Sequence, residues 1–403
     1  MEKPSSPAAV TRVVIVLGTT QTLAWASSYY LPAILAEPIA AAAGVSVTTV
    51  LAAFSGALVL SALIAPRVGR AIDRAGGKGV LCLSNLVLAT GLALLAGAQG
   101  PVTLALAWAM LGLGMGMGLY DAAFATLARI YGAAARAPIT GITLIAGFAS
   151  TLGWPLTAAI ESEWGWRTAC LVWSGIHLFV CLPLNRYGLP SQASPVDTLA
   201  PSSARPEENV HRTSVLWLLA FIFAATWFVT GAMATHLPRL LQEAGASPAE
   251  AVGYAALVGP AQVAARLAEF GLLRRIHPIV AARIAATLHP LGVGMLAIFG
   301  MPLGLAAFAV LHGAGNGMLT IAKGTLPLAL LGPKDYGYRQ GLIGAPARMA
   351  QATAPLLFGL LLDRWGIWSL AASALITLSA MVALFILRSP PPSQPPRSHS
   401  RTA

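Results

Sequence analysis

The chain has 403 residues, 57% of them hydrophobic and only 10% charged, with a mean hydropathy of +0.73. Soluble domains carry about 25% charged residues, so this composition excludes a water-soluble globule and indicates an all-α, polytopic membrane protein. A formal net charge of +11 would suggest nucleic acid as the partner of a soluble protein. Here the charge is accounted for by its placement along the chain, and no nucleic-acid partner is expected.

Residues 1–12 form a short polar tail. A helix needs about 20 apolar residues to cross a bilayer, and twelve such spans are predicted. The first six cover about 13–36, 48–66, 79–99, 101–127, 138–160 and 167–187, which makes 13–187 an N-terminal six-helix bundle. A stretch rich in Pro, Ser and Glu, 188–213, reads as a linker. The second six cover about 214–241, 250–273, 278–300, 301–331, 339–362 and 366–388, a C-terminal bundle over 214–388. The Pro/Ser/Arg-rich tail 389–403 is expected to be disordered. The first apolar run continues as a full span without a small-residue cleavage site, so no removable signal peptide is expected.

Alternating the spans places about eighteen Lys and Arg residues on one face, among them Arg67, Arg70, Arg74 and Lys78, and leaves Arg167, Arg239 and Arg364 on the other. By the positive-inside rule the basic face is cytoplasmic, and both termini with it. The halves also repeat at an offset near 200. Leu31-Pro32 matches Leu237-Pro238, and Gly44-Val45-Ser46 matches Gly245-Ala246-Ser247. Gly112-x-Gly114-x-Gly116-Met117 matches Gly313-x-Gly315-x-Gly317-Met318. Pro155 pairs with Pro355, and Trp164-Gly165 with Trp365-Gly366. Two six-helix halves in parallel repeat follow.

Between spans 2 and 3 lies the charged stretch Gly69-Arg70-Ala71-Ile72-Asp73-Arg74-Ala75-Gly76-Gly77-Lys78. It reads as a surface loop whose turns Gly69 and Gly76 permit, and its G-x-x-x-D-R-x-G-G-K spacing resembles the loop after the second helix of major facilitator superfamily transporters. Gly112–Tyr120, Ala146-Gly147 with Gly153, Gly165-Trp166-Arg167 and Arg266 make the chain most similar to the monocarboxylate-porter-like group and its bacterial relatives. The resemblance implies the twelve-helix major facilitator fold. It also implies a gate at the basic face, built from Gly69, Asp73, Arg74, Gly76 and Asp121. There Asp121 would pair with the arginine of the loop, and Asp73 would cap the N-terminus of span 11. The chain departs from the group's eukaryotic porters in having no lysine in span 1, and in having Gln262 where they carry an aspartate. Gly153-Trp154-Pro155-Leu156 also lacks the glycine pairs of drug–proton antiporters.

Charges inside spans are expensive and mark candidate sites. Arg266 and Glu269 are spaced i,i+3 on span 8 and can touch. They read either as a neutralised pair, latched with Lys323, or as a working pair. In the second reading Arg266 binds a carboxylate bidentately while Glu269 carries the coupling proton, since burial favours an uncharged carboxyl. Comparison of the halves sets Leu63 opposite Arg266, Pro66 opposite Glu269 and Phe148 opposite Arg348. Charge confined to one half serves something other than the shared scaffold, so Arg348 joins the translocation candidates. His312 and Asn316, i,i+4 on span 10, form either a packed pair or part of a cavity wall. Gln21 and Trp25, with Tyr29 beside them, lie on a polar stripe of span 1.

Cys82, Cys170 and Cys181 lack metal-ligand spacing, so neither a metal nor a disulfide framework is expected. Gly76-Gly77-Lys78-Gly79 is not a phosphate loop, and no H-E-x-x-H or G-x-S-x-G occurs. No cofactor and no enzyme activity are expected. A receptor or enzyme on this fold would need a soluble domain or a catalytic constellation, and the sequence offers neither. The expected function is secondary transport by alternating access, of a small organic anion such as a monocarboxylate together with a proton. The alternative is an exporter of toxic compounds or metabolites from the same superfamily. A monomer is expected, in the bilayer of a cell membrane of the bacterial inner-membrane type.

Overall fold

The computed structural model describes residues 6–190, 206–272 and 275–387, without the side chains of 206–211. Residues 1–5, linker residues 191–205, residues 273–274 with the basic-face Arg274, and the whole C-terminal tail 389–403, expected to be disordered, lie outside the described residues. Regular structure among the described residues is helical throughout, as a lipid environment requires of backbone that must satisfy its own hydrogen bonds.

Twelve spans cross the molecule. Span 1 is Pro7–Ser27 and Pro32–Ala43, span 2 is Val47–Ala75, span 3 is Gly77–Ala96, and span 4 is Pro101–Gly118 and Tyr120–Tyr131. Span 5 is Arg136–Ala146 and the first part of Ala149–Ile176. Gly165, at φ 80°, turns the chain into span 6, which ends through His177–Cys181 and Leu182–Gly188. Span 7 is Pro206–Glu243, so it begins inside the expected linker. Span 8 is Pro248–Ala256 and Val258–Gly271, span 9 is Pro278–Phe299, span 10 is Leu303–Leu331, span 11 is Tyr336–Trp365, and span 12 is Ser369–Ile386.

Four spans are broken, and some of the breaks have a local cause. Pro32 has no N–H and its ring crowds the carbonyl of Ser28, which leaves the helix at φ −127°. Pro260 does the same to Ala256, ahead of the break at Leu257. Span 5 breaks at Gly147 and Phe148, and span 4 at the extended residue Leu119. The freed carbonyl of Gly118 is taken by Gln21, whose Nε2 donates to it at 2.6 Å.

The expected loop at 69–78 is corrected by the structure. Span 2 stays helical through Asp73 to Ala75, and the turn is Gly76 at φ 81°. Gly69 serves a different purpose: its missing side chain lets span 2 lie directly against the backbone of Gly337 on span 11. The same seam continues at Gly341, where an added Cβ would lie 2.5 Å from the carbonyl oxygen of Ala65. On this basic face the two halves share one core, with Ile72, Phe124 and Ile139 packed with Leu328 and Tyr336. Towards the opposite face, one hydrogen bond joins the halves among the described residues, from Gln351 Nε2 to the Tyr29 hydroxyl at 2.7 Å. The structure is closed on the basic face.

Replacing Gly341 with Leu is expected to wedge spans 2 and 11 apart and abolish closure. A cysteine introduced at Ala65, buried here, should then react several-fold faster with a membrane-impermeant maleimide added on the basic face. Unchanged labelling would contradict the seam.

Candidate functional site

The site is built in two layers between the halves. The layer nearer the basic face holds Asp121, in the first turn of the second segment of span 4 and 6% exposed. A helix N-terminus suits a carboxylate, but the charge is met mainly by the other half. Lys323 Nζ of span 10 lies 3.0 Å from Asp121 Oδ1, and Arg348 Nη2 of span 11 donates to Oδ2 at 2.7 Å. Gln340 Nε2 donates to Oδ1 at 3.2 Å, and Arg348 also reaches the Ser61 hydroxyl on span 2. Lys323 lies over the Trp227 ring, 4.9 Å from its centroid.

This arrangement differs from expectation in two respects. Asp121 does not pair with the loop arginine: Arg74 is exposed and enters none of the described ion pairs or hydrogen bonds. Lys323 is committed to Asp121 and not to a latch with Glu269. Asp73 sits below this layer and accepts from the backbone N–H groups of Gly337 and Tyr338, at 2.8 and 2.7 Å, at the start of span 11. Arg70, on the same turn, packs over the Tyr338 ring at 4.7 Å.

The second layer lies at the breaks. Arg266 is 5% exposed. Its Nη2 donates to Gln262 Oε1 at 3.3 Å and its Nε to the Gly317 carbonyl at 3.5 Å. Its guanidinium crosses to the other half and lies against Gly147, where any side chain would collide with it. Among the described residues no carboxylate pairs with Arg266. The expected contact with Glu269 is absent because Gln262, one turn towards the break, takes the guanidinium instead. Glu269 is 4% exposed and its Oε2 has no hydrogen-bond partner. The charge of Arg136, at the start of span 5, reaches it, while Arg136 itself donates to the Ile276 carbonyl at 2.7 Å.

The N-terminal half contributes an aromatic wall. The Trp25 ring lies 5.1 Å from Tyr29, 6.1 Å from Tyr30 and 5.0 Å from Tyr120, centroid to centroid. The Arg266 charge reaches Tyr30 and Tyr120. Trp25 Nε1 and, one turn away on the same face, Gln21 Oε1 are buried without partners.

His312 is placed elsewhere. It faces into the C-terminal bundle, with its Nδ1 3.0 Å from Nδ1 of His289, whose Nε2 contacts the Ser373 hydroxyl at 2.9 Å. Asn316 Oδ1 accepts from the Thr230 hydroxyl at 3.0 Å, and both histidines and Asn316 line a small cavity within that bundle.

The comparisons with known proteins settle the family. The sequence model of the Major Facilitator Superfamily matches residues 17–303. The chain belongs to the Major Facilitator Superfamily. An uncharacterized 38 kDa protein in the 23S RNA operon of Thermoproteus tenax is 27% identical over 340 residues, 80% of this chain and 87% of that one. Solved structures share the fold. The outward-conformation FucP transporter aligns with a TM-score of 0.73 at 15% identity, covering 94% of this chain and 98% of its own. The human organic anion transporter MFSD10 aligns with a TM-score of 0.68 at 17% identity, covering 95% and 100%. Members of this superfamily are transporters and not enzymes, and the chain is accordingly a multi-pass membrane transporter.

Tyr120, Gly147, Gln262 and Gln340 were not among the sequence-derived site residues. Asp121→Asn is expected to leave two buried cations unanswered, and breaking a buried pair in this way costs about 3–5 kcal/mol. A clear drop in apparent Tm in detergent is the expected reading. Adding Arg348→Gln, which restores the original charge balance of the layer, should recover part of it.

Proposed function

We propose that the protein carries a small organic anion, a monocarboxylate, together with a proton by alternating access. One observation carries this reading: the buried guanidinium of Arg266 reaches across to Gly147 of the other half, and no carboxylate among the described residues pairs with it. An uncompensated buried cation is costly, and a bound carboxylate would answer it with two parallel hydrogen bonds. Gln262, a neutral acceptor, holds the guanidinium in place without cancelling its charge.

Glu269 supplies the coupling. Its carboxyl is buried on the same helix as Arg266, and its Oε2 has no hydrogen-bond partner among the described residues. In the proposed cycle the protonated form leaves Arg266 free for the substrate. Loss of the proton creates an anion on the same helix, one turn from Arg266, which competes for the guanidinium and helps expel the substrate. The empty carrier then resets with its charge answered internally.

Two of the structural neighbours support the chemistry by analogy: MFSD10 is described as an organic anion transporter and the Escherichia coli FucP as a fucose:proton symporter. The charge bias supports a cytoplasmic basic face with both termini on that side, in a cell membrane of the bacterial inner type. On that orientation the closed seam between spans 2 and 11 corresponds to the outward-facing state.

The test is uptake into proteoliposomes of labelled monocarboxylates from acetate to benzoate, with and without an inward proton gradient. Wild type should be accelerated by the gradient, and uptake that ignores it overturns proton coupling. Arg266→Gln should abolish uptake at unchanged Tm. Glu269→Gln should keep anion counterflow but lose the response to the gradient.

A further inference from the structure

The anion reading leaves the aromatic wall of the N-terminal half unexplained. A carrier for a short aliphatic acid needs little beyond a guanidinium and an apolar lining. Here the lining is a set of four aromatic side chains, brought together from two broken spans. Trp25 belongs to the first segment of span 1, and Tyr29 and Tyr30 fill the break that Pro32 imposes. Tyr120 opens the second segment of span 4, immediately after the break at Leu119.

None of the four rings is fully buried, although each lies mid-span. They meet at tilted or edge angles, 66° between Trp25 and Tyr29 and 45° between Trp25 and Tyr120. Aromatic rings favour such arrangements, and a further ring can join them with its edge or an offset face. The wall is held from behind: Tyr120 stacks on Phe124 at 9°, Tyr29 meets Phe54, and Tyr30 meets Trp154. Trp154 also donates its Nε1 to the Tyr30 carbonyl at 3.2 Å.

Two polar atoms at the wall have no partner among the described residues, while the Tyr29 hydroxyl accepts from Gln351. Trp25 Nε1 has a donor with no acceptor, and Gln21 Oε1 is an acceptor with no donor. Buried tryptophan N–H groups ordinarily find a partner, and Trp25 Nε1, like Trp108 Nε1 in the same bundle, has none among the described residues.

We propose that the transported anion is an aromatic monocarboxylate, its carboxylate on Arg266 and its ring against Trp25, Tyr29, Tyr30 and Tyr120. This rests on the anion-binding role of Arg266. Gly147 keeps the guanidinium within reach of the N-terminal half, so ring and carboxylate would be gripped by opposite halves. A ligand that spans the seam in this way ties its own binding to the approach of the two halves.

The experiment compares three acids of equal charge on the purified full-length protein by isothermal titration calorimetry: benzoate, cyclohexanecarboxylate and acetate. Benzoate and cyclohexanecarboxylate are close in size and differ in the planar π-system. Benzoate is expected to bind about tenfold more tightly than cyclohexanecarboxylate, from the ring–ring contribution beyond area burial. Trp25→Leu should erase that preference and Trp25→Phe should keep part of it, at an unchanged Tm. The wild-type comparison between acids stands on its own if a variant fails to fold. Equal binding of benzoate and cyclohexanecarboxylate, both lost in Arg266→Gln, overturns the aromatic inference and leaves the anion site intact. Absence of binding by any of the three, or binding indifferent to Arg266→Gln, overturns the anion reading and this inference with it.

Discussion

A charge withdrawn from water must be answered by an opposite charge, and that constraint organises the centre of this molecule. Asp121 sits on the N-terminal half, while Lys323 and Arg348, the cations that answer it, sit on the other. The interaction therefore exists only while the halves are together on the basic face. Buried ion pairs come close to break-even against hydration. When the seam opens, water reaches all three groups and replaces much of what the contact supplied. The cluster thus registers the closed state without making it permanent, which is what a carrier needs of a gate.

The close seam around the cluster depends on backbone detail. Gly69 against Gly337 and Gly341 against Ala65 let spans 2 and 11 touch main chain to main chain, which brings Arg348 to Ser61 and Asp121. Asp73 then meets the first N–H groups of span 11, where the helix has no internal acceptors for them. Above the seam the spans break instead of touching. Each break frees backbone groups that lipid could not satisfy, and the interior answers them, as Gln21 does for Gly118. Arg266, Tyr30 and Tyr120 are placed by the geometry of these interruptions.

Much of the fold was legible in the sequence because its physics is local or one-dimensional. Span number follows from hydropathy and bilayer thickness, and the face on which basic residues gather follows from alternation. The repeat follows from glycine and proline patterns such as Gly112–Met117 and Gly313–Met318, which are the residues that pack spans 4 and 10 on their neighbours. The pairing of charges was not legible. Arg266 and Glu269 have ideal helical spacing, yet their side chains diverge because Gln262 and the Gly317 carbonyl compete for the guanidinium. Asp121 was assigned a partner in its own half, since nothing in sequence order brings positions 121, 323 and 348 together. His312 lies on a span with a cavity-lining face, but its rotation turns it to His289. Gly147 was visible only as a small residue, and its purpose depends on a guanidinium 119 positions further along the chain.

The charge count of the two layers sharpens the functional reading. Asp121 offsets one of its two cations, and Arg266 adds a third positive charge with which no described carboxylate pairs. The interior is thus electropositive in the closed arrangement, which favours an anion over a neutral or cationic solute. An anion and a proton entering together add no net charge to the molecule. In the proposed cycle the bilayer would then oppose their passage no more than it opposes the empty carrier, in which Glu269 without its proton would take the place of the substrate carboxylate. In the loaded and the empty states of the proposed cycle alike the guanidinium of Arg266 would have one negative partner. States with none, or with two competing, are the costly ones, and their exclusion is what would couple the anion to the proton.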